Sequence, residues 1–143
     1  MKQDLLLPLD RDTTAFNGLI AALRSIPKNA SPTAPEYRSA LEAVDSAYKL
    51  ASAIPLAVAE SALDTLNLLN QVAEFGLATA LSDLAVATAM ADAALSGASW
   101  NVRINLKEIK DQSFITDCTR RLTELDQARQ NLRAEIERKL LAR

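Results

Sequence analysis

The order of apolar and polar positions along the chain reads as a succession of helices. Between about residues 10 and 25, Phe16, Leu19, Ile20 and Leu23 recur at the spacing that puts side chains on one side of a helix. Asp10 and Asp12 stand before them, where the positive end of a helix dipole favours acids, so a first helix is expected to open there. The segment IPKNASPTAP, with its prolines and small polar residues, reads as a loop. Pro35 suits the first turn of the next helix. From it Tyr37, Leu41, Val44, Tyr48 and Ala51 fall on one stripe, which continues through Val58, Ala62, Leu66, Leu69 and Val72 to a stop at Gly76. Pro55 lies inside this stretch and removes one backbone donor, which predicts one bent long helix or two abutting ones.

Ser82 with Asp83 is the next start signal and reads as a helix cap. The residues after it, LAVATAMADAALSGASW, are almost all small. Ala89, Ala93 and Gly97 make a ladder without bulky side chains, which would let another backbone come close. A central helix is therefore expected, running on to about Lys107. Asp111 is placed to cap a last helix over about 112 to 142, whose apolar face is Phe114, Cys118, Leu122, Leu125, Leu132 and Ile136, with Arg129 interrupting. Asp117 with Arg121, and Glu135 with Lys139, have stabilising spacing on that helix. The pattern as a whole predicts an all-α, single-domain helical bundle of about four to five long helices.

Composition narrows the function classes. The chain has 143 residues, 49% hydrophobic and 24% charged, enough for one domain around one core. Three glycines and five prolines leave little turn chemistry for a sheet-rich fold. A net charge of −2 argues against a nucleic-acid binder, which would show a basic face. No apolar run is long enough for a membrane span, and acids flank the leucines near the N-terminus, unlike a signal peptide. The single Cys118 cannot form an internal disulfide, falls in an apolar stripe and reads as core, and a cytoplasmic location is the simplest expectation. The absence of histidine removes histidine triads and histidine zinc sites, so no metal is expected. Acid–base chemistry is left to Asp, Glu, Lys, Tyr or Cys118.

The stretch SWNVRINLKEIKD holds the most pointed candidates. Asn101 and Asn105 are four residues apart, on one side of a helix that the preceding apolar residues suggest is partly buried. A buried amide without partners costs about 1–3 kcal/mol, so these two either hold a neighbouring segment or touch a ligand. Arg103 and Lys107 lie on another face, for which solvation is the default. Tyr48 and Trp100 read as packing residues.

The segment SDLAVATAMADAALSGASWNVRINLKEIKDQSF, with DRDTTAFNGLIAAL, Pro27-Lys28 and Pro55 upstream, resembles the cyclodeaminase/cyclohydrolase family of folate enzymes. The resemblance rests on Ser82 and Asp83, Gly97 and Ala98, Asn101 to Leu106, and Lys110, Asp111 and Phe114. It covers nearly the whole chain, although Leu84 stands where a glycine is common. Family domains usually begin some tens of residues earlier with a Pro/Gly-rich segment, so the chain is expected to match the C-terminal two-thirds of such a domain. The resemblance implies one of two reactions. One closes 5-formiminotetrahydrofolate to 5,10-methenyltetrahydrofolate with release of ammonia; the other hydrolyses the methenyl form. It also implies a folate substrate without a further cofactor, a homodimer and an accompanying formiminotransferase domain. A helical interaction module without catalysis is the alternative.

On this resemblance Asp83 is the candidate catalytic carboxylate. Ser82, Asn101, Arg103, Asn105 and Lys107 are the candidate substrate-binding residues, with Lys110 joining Arg103 and Lys107 as partners for the carboxylates of a folate tail. Asp83 and Asn101 stand five turns apart, about 27 Å in an unbroken helix. Such residues cannot meet at one reacting centre within one chain. Three readings stay open: the helix breaks between them, the two residues serve different parts of the function, or an antiparallel dimer brings Asp83 of one copy towards Asn101 of another.

Overall fold

A computed structural model of the protein describes the backbone of residues 2–76 and 78–142 and, residues 2–10 and 78 aside, their side chains. Among the described residues four α-helices follow one another: α1 (Lys2–Arg24), α2 (Pro35–Phe75), α3 (Leu81–Leu106) and α4 (Gln112–Leu141), with a short 3-10 turn at Ala78–Ala80 before α3. No strand occurs among the described residues. The all-α bundle expected from the pattern is the fold observed.

α2 is the spine. Among the described residues it packs against α1, α3 and α4, whereas α1 touches α2 alone and α3 touches α2, α4 and the short turn before it. At 41 residues α2 is about 60 Å long, and α3 covers only part of it. It runs unbroken through Pro55, so the stretch is one helix and not two. Pro35 occupies its first turn, as expected, and Gly76 follows its last residue. Gly76 is not left-handed there, with φ of −70°. A side chain at this position would meet the Val72 carbonyl oxygen at 2.5 Å, so the close return of the chain onto α2 requires glycine.

The core lies between α2, α3 and α4. Leu66, Leu95, Val102, Leu122 and Ile136 are fully buried at its centre, each stabilising the fold by about 1.5–3 kcal/mol. Ala59, Ala62, Ala73 and Ala91 fill the seams between them and permit close helix contact. Cys118 is core, as its place in the stripe suggested, and burial pushes its thiol pKa up. Tyr48 packs against the same cluster.

Several local expectations need correction. α1 begins eight residues before Asp10, because the leucine-rich residues ahead of it also adopt helix; Asp10 and Asp12 lie inside it. Val58 and Val72 are exposed, since the stripe on a helix as long as α2 drifts away from its neighbours. α3 is capped by Ala80 without a side-chain hydrogen bond, so Ser82 does not act as the cap and Asp83 sits in the first turn beside the helix dipole. Asp117 pairs with Arg120 instead of Arg121, which reaches across to Glu60 on α2. Glu135 and Lys139 do pair, at 3.0 Å.

Arg129, the apparent interruption of the α4 face, has a reason. Its guanidinium donates to Asp92 of α3 at 2.7 Å and to Asp126 at 2.8 Å, and Arg133 donates to the other Asp92 oxygen at 2.9 Å. The Arg129 and Asp92 side chains are only 18% and 13% exposed, so the pair is partly desolvated and each member depends on the other. Asp92→Ala is expected to cost about 1–3 kcal/mol in urea unfolding, because it leaves the partly desolvated Arg129 with Asp126 alone, whereas Arg133→Ala at the solvent edge is expected to cost less than about 1 kcal/mol.

Candidate functional site

The candidate residues all belong to α3 and the turn after it. α3 is continuous, so its two ends are separated as the spacing required: Ser82 and Asp83 lie at one end, and Asn101, Arg103, Asn105 and Lys107 at the other. The described chain therefore gathers four of the six candidates and leaves Asp83 about 27 Å along the axis from Asn101.

The two asparagines have different surroundings. Asn105 is half-buried and its amide nitrogen donates to the carbonyl oxygen of Ala51 at 3.1 Å. Ala51 is four residues before Pro55, and proline has no N–H to give it. Asn105 thus supplies the donor that Pro55 removes from α2. Asn101, one turn earlier, is exposed, which corrects the expectation of a partly buried side holding both amides. A four-residue step advances about 40° around the helix, and α2 contacts only the side on which Asn105 lies.

Arg103 is half-buried and lies over the Trp100 ring at 5.8 Å, a cation–π contact. Trp100 itself is exposed, so it is not the packing residue that its size suggested. Lys107 is exposed, as is Asp83. The side chains of Asp83, Asn101 and Lys107 have no hydrogen-bond or ion-pair partner among the described residues. By contrast Asp45, Asp92, Asp111 and Asp117 are all in ion pairs.

The outward face of α3 was not foreseen. Ala89, Ala93 and Gly97 are exposed, and a Cβ at Gly97 would meet nothing within 4 Å among the described residues, which corrects the expectation of a close crossing within the bundle. Around them Val86, Met90, Trp100 and Ile104 are also exposed. A helix that is apolar on every side carries no periodic signal of which side is buried, and that hid this face from the sequence pattern.

The turn after α3 is held by a charged corner. Lys49 of α2 bridges Asp45 and Asp111, each at 2.9 Å, and Asp45 accepts the Lys110 backbone N–H at 2.6 Å. Asp111 caps α4 as expected, accepting from the Ser113 and Phe114 backbone N–H groups. The Ser113 hydroxyl and the Lys49 ammonium together hold the Asp111 carboxyl well below its ordinary pKa, and the Lys110 N–H lowers that of Asp45. Among the described residues no group of three or more His, Cys, Asp or Glu is placed to hold a metal ion, and no helix is long and apolar enough to cross a membrane.

Residues 1–124 match the family model described as formiminotransferase-cyclodeaminase. The chain is 32% identical over 135 residues to formimidoyltransferase-cyclodeaminase of Sus scrofa, covering 94% of this chain and 24% of that protein. The corresponding Gallus gallus protein is 32% identical over 122 residues, covering 85% of this chain and 22% of its own length. The chain thus spans less than a quarter of the length of these curated relatives. Its fold is similar to the crystal structure of formiminotetrahydrofolate cyclodeaminase from Thermotoga maritima, with a TM-score of 0.79 at 24% identity over 94% of this chain and 61% of that one.

The charged corner has a measurable consequence. Asp111 and Asp45 have folded-state pKa values below their unfolded ones, so the stability they contribute is present above about pH 4 and is lost as pH falls through the folded values. Asp111→Asn is expected to flatten the acid limb of the stability–pH curve and to lower stability at pH 7, measured by urea unfolding across the pH series.

Proposed function

The chain belongs to the formiminotransferase-cyclodeaminase family, and from that premise we propose that it works on a tetrahydrofolate one-carbon unit as a cyclodeaminase. In this reaction N10 of 5-formiminotetrahydrofolate attacks the formimino carbon and forms the C–N10 bond. The N10 proton leaves, the former imino nitrogen is protonated, and its bond to carbon breaks to release ammonia. The product is the 5,10-methenyl cation. A carboxylate suits both proton transfers and the cationic centre. Asp83 is the candidate for that role, with Ser82 beside it.

Asn101 and the free Oδ1 of Asn105 are candidates for the pterin edge. Arg103, Lys107 and Lys110 suit the carboxylates of the folate tail, Arg103 by its planar donor fork. No further cofactor enters this scheme. The formiminotransferase half named in the relatives is the proposed source of the substrate, in a cytoplasmic setting. The observation that supports the reading is the family match over residues 1–124, a span that holds every candidate residue. Within it Asp83, Asn101 and Lys107 are side chains with no structural partner to explain them. The separation of Asp83 from Asn101, Arg103, Asn105 and Lys107 along one continuous helix favours a homodimer as the working form.

The test is turnover. Purified protein given 5-formiminotetrahydrofolate is expected to release ammonia as methenyl absorbance grows, and Asp83→Ala to lower kcat by about 10²–10⁴-fold. Hydrolysis of methenyltetrahydrofolate without deamination would replace the cyclodeaminase by the cyclohydrolase reading. Neither reaction, with no folate binding, would leave a helical interaction module.

A further inference from the structure

The turn between α3 and α4, residues 107–111, carries two lysines that the fold itself does not use. Lys107 and Lys110 are exposed, and neither side chain has an ion-pair partner among the described residues. Three residues of chain separate them, so their Cα atoms lie within about 11 Å of each other. Lys107 still has helical backbone, with φ of −66° and ψ of −24°, and follows Arg103 by four residues, so the two project from the same side of the helix end. Between the lysines Ile109 is buried and ties the turn to the core.

Two acids stand at this turn without taking the lysines, because all four of their carboxylate oxygens are committed elsewhere. The Lys110 backbone N–H donates to Asp45 Oδ1 at 2.6 Å. The Lys49 ammonium pairs with Asp45 Oδ2 and with Asp111 Oδ2, each at 2.9 Å. Asp111 Oδ1 accepts from the Ser113 and Phe114 backbone N–H groups and from the Ser113 hydroxyl. Lys49 also lies over the Phe114 ring at 5.8 Å, which holds its ammonium in place. One lysine from α2 thus occupies both acids that would otherwise compete for the neighbouring ammonium groups.

Stability alone does not call for this arrangement. Lys110 is exposed, and water satisfies an exposed backbone N–H at little cost. The N–H goes instead to a carboxylate 65 residues away in sequence, whose side chain is only 18% exposed and is therefore partly desolvated. What the bond adds is a fixed direction. Ile109 faces inward, the Lys110 N–H is tied to α2, and Asp111 is tied to α2 and α4. The backbone that carries both lysines is held on each side.

We propose that Asp45 and Lys49 are positioning residues for substrate, fixing this turn so that Lys107 and Lys110 are presented together to the carboxylates of the folate tail. The role rests on the proposed function, which supplies the tail. Neither Asp45 nor Lys49 touches the ligand. Asp45 acts through the Lys110 N–H, and Lys49 acts by keeping Asp45 and Asp111 occupied. A loose turn would have to be ordered when the ligand binds, and a turn held in advance removes that entropic cost.

Calorimetry with two ligands tests the role: 5-formyltetrahydrofolate, which carries the glutamate tail, and tetrahydropterin, which lacks it. Asp45→Ala is expected to raise the Kd of the tailed ligand by about tenfold, the scale of one charge-assisted contact, and to leave that of tetrahydropterin within about twofold. Asp45→Asn keeps an acceptor for the Lys110 N–H and is expected to recover most of the loss. In a background of Lys107→Ala with Lys110→Ala, Asp45→Ala is expected to add less than about twofold, because the groups it positions are gone. Lys49→Met reads the pair from its other member, with the same tail-specific loss expected, should Asp45→Ala not fold. Unchanged affinity for the tailed ligand, an equal loss for both ligands, or a full Asp45 effect in the absence of the two lysines would overturn the positioning role. Any of these, with a wild type that binds the tailed ligand, leaves the folate reading standing; a wild type that binds neither ligand overturns that reading and this role together.

Discussion

The rest of the molecule depends on one hydrogen bond. Pro55 leaves the Ala51 carbonyl without its helical donor in the middle of the longest helix, and Asn105 donates to it from α3. Both features are unfavourable alone: a proline inside a helix and a partly buried amide each need compensation. Together they pin the C-terminal end of α3 against α2. That docking point sets the turn that follows, where Asp45 receives the Lys110 N–H and Lys49 holds Asp111 at the start of α4. The direction of α4, and with it the Arg129–Asp92 clamp, follows from this corner.

The same bond separates two amides that look equivalent in the sequence. Asn105 is turned inward and committed through its nitrogen, while Asn101 is left on the solvent side with the apolar face of α3. Arg103 rests on Trp100 between them. The candidate binding residues are thus presented by a helix end whose position is fixed from behind. A helix end held in this way can keep side chains in place without a loop to fold over them.

Legibility in the sequence varied with the kind of signal each element carried. α4 was readable almost to the residue because it has a capping acid, a clear apolar stripe and a polar back. Even its anomaly, Arg129, proved informative, as a half-buried charge with one partner, Asp92, on another helix that cannot be seen from local spacing. α2 was readable in extent, but Pro55 left two outcomes open, since whether a proline breaks a helix depends on a compensating donor supplied from position 105. α3 was readable in length and not in orientation. Its alanines satisfy any face, so the Ala89–Ala93–Gly97 ladder was assigned to the interior although the helix turns it outward. The start of α3 was also misassigned, because Ser82 and Asp83 are good caps by type while the backbone already turns at Ala80. Spacing and the apolar stripe drew attention to Asn101, Asn105 and Pro55, and the bond between Asn105 and Ala51 gives two of these three a structural reason.

The direct test of this account is a double-mutant cycle between Pro55 and Asn105, read by urea unfolding. Asn105→Ala in the native background is expected to cost about 1–2 kcal/mol, the penalty for a half-buried carbonyl left without a donor. In a Pro55→Ala background the new backbone N–H bonds Ala51 itself, and the same asparagine replacement is expected to cost less than half as much. An equal cost in both backgrounds would contradict the account, because the amide would then not be serving the carbonyl that the proline leaves open.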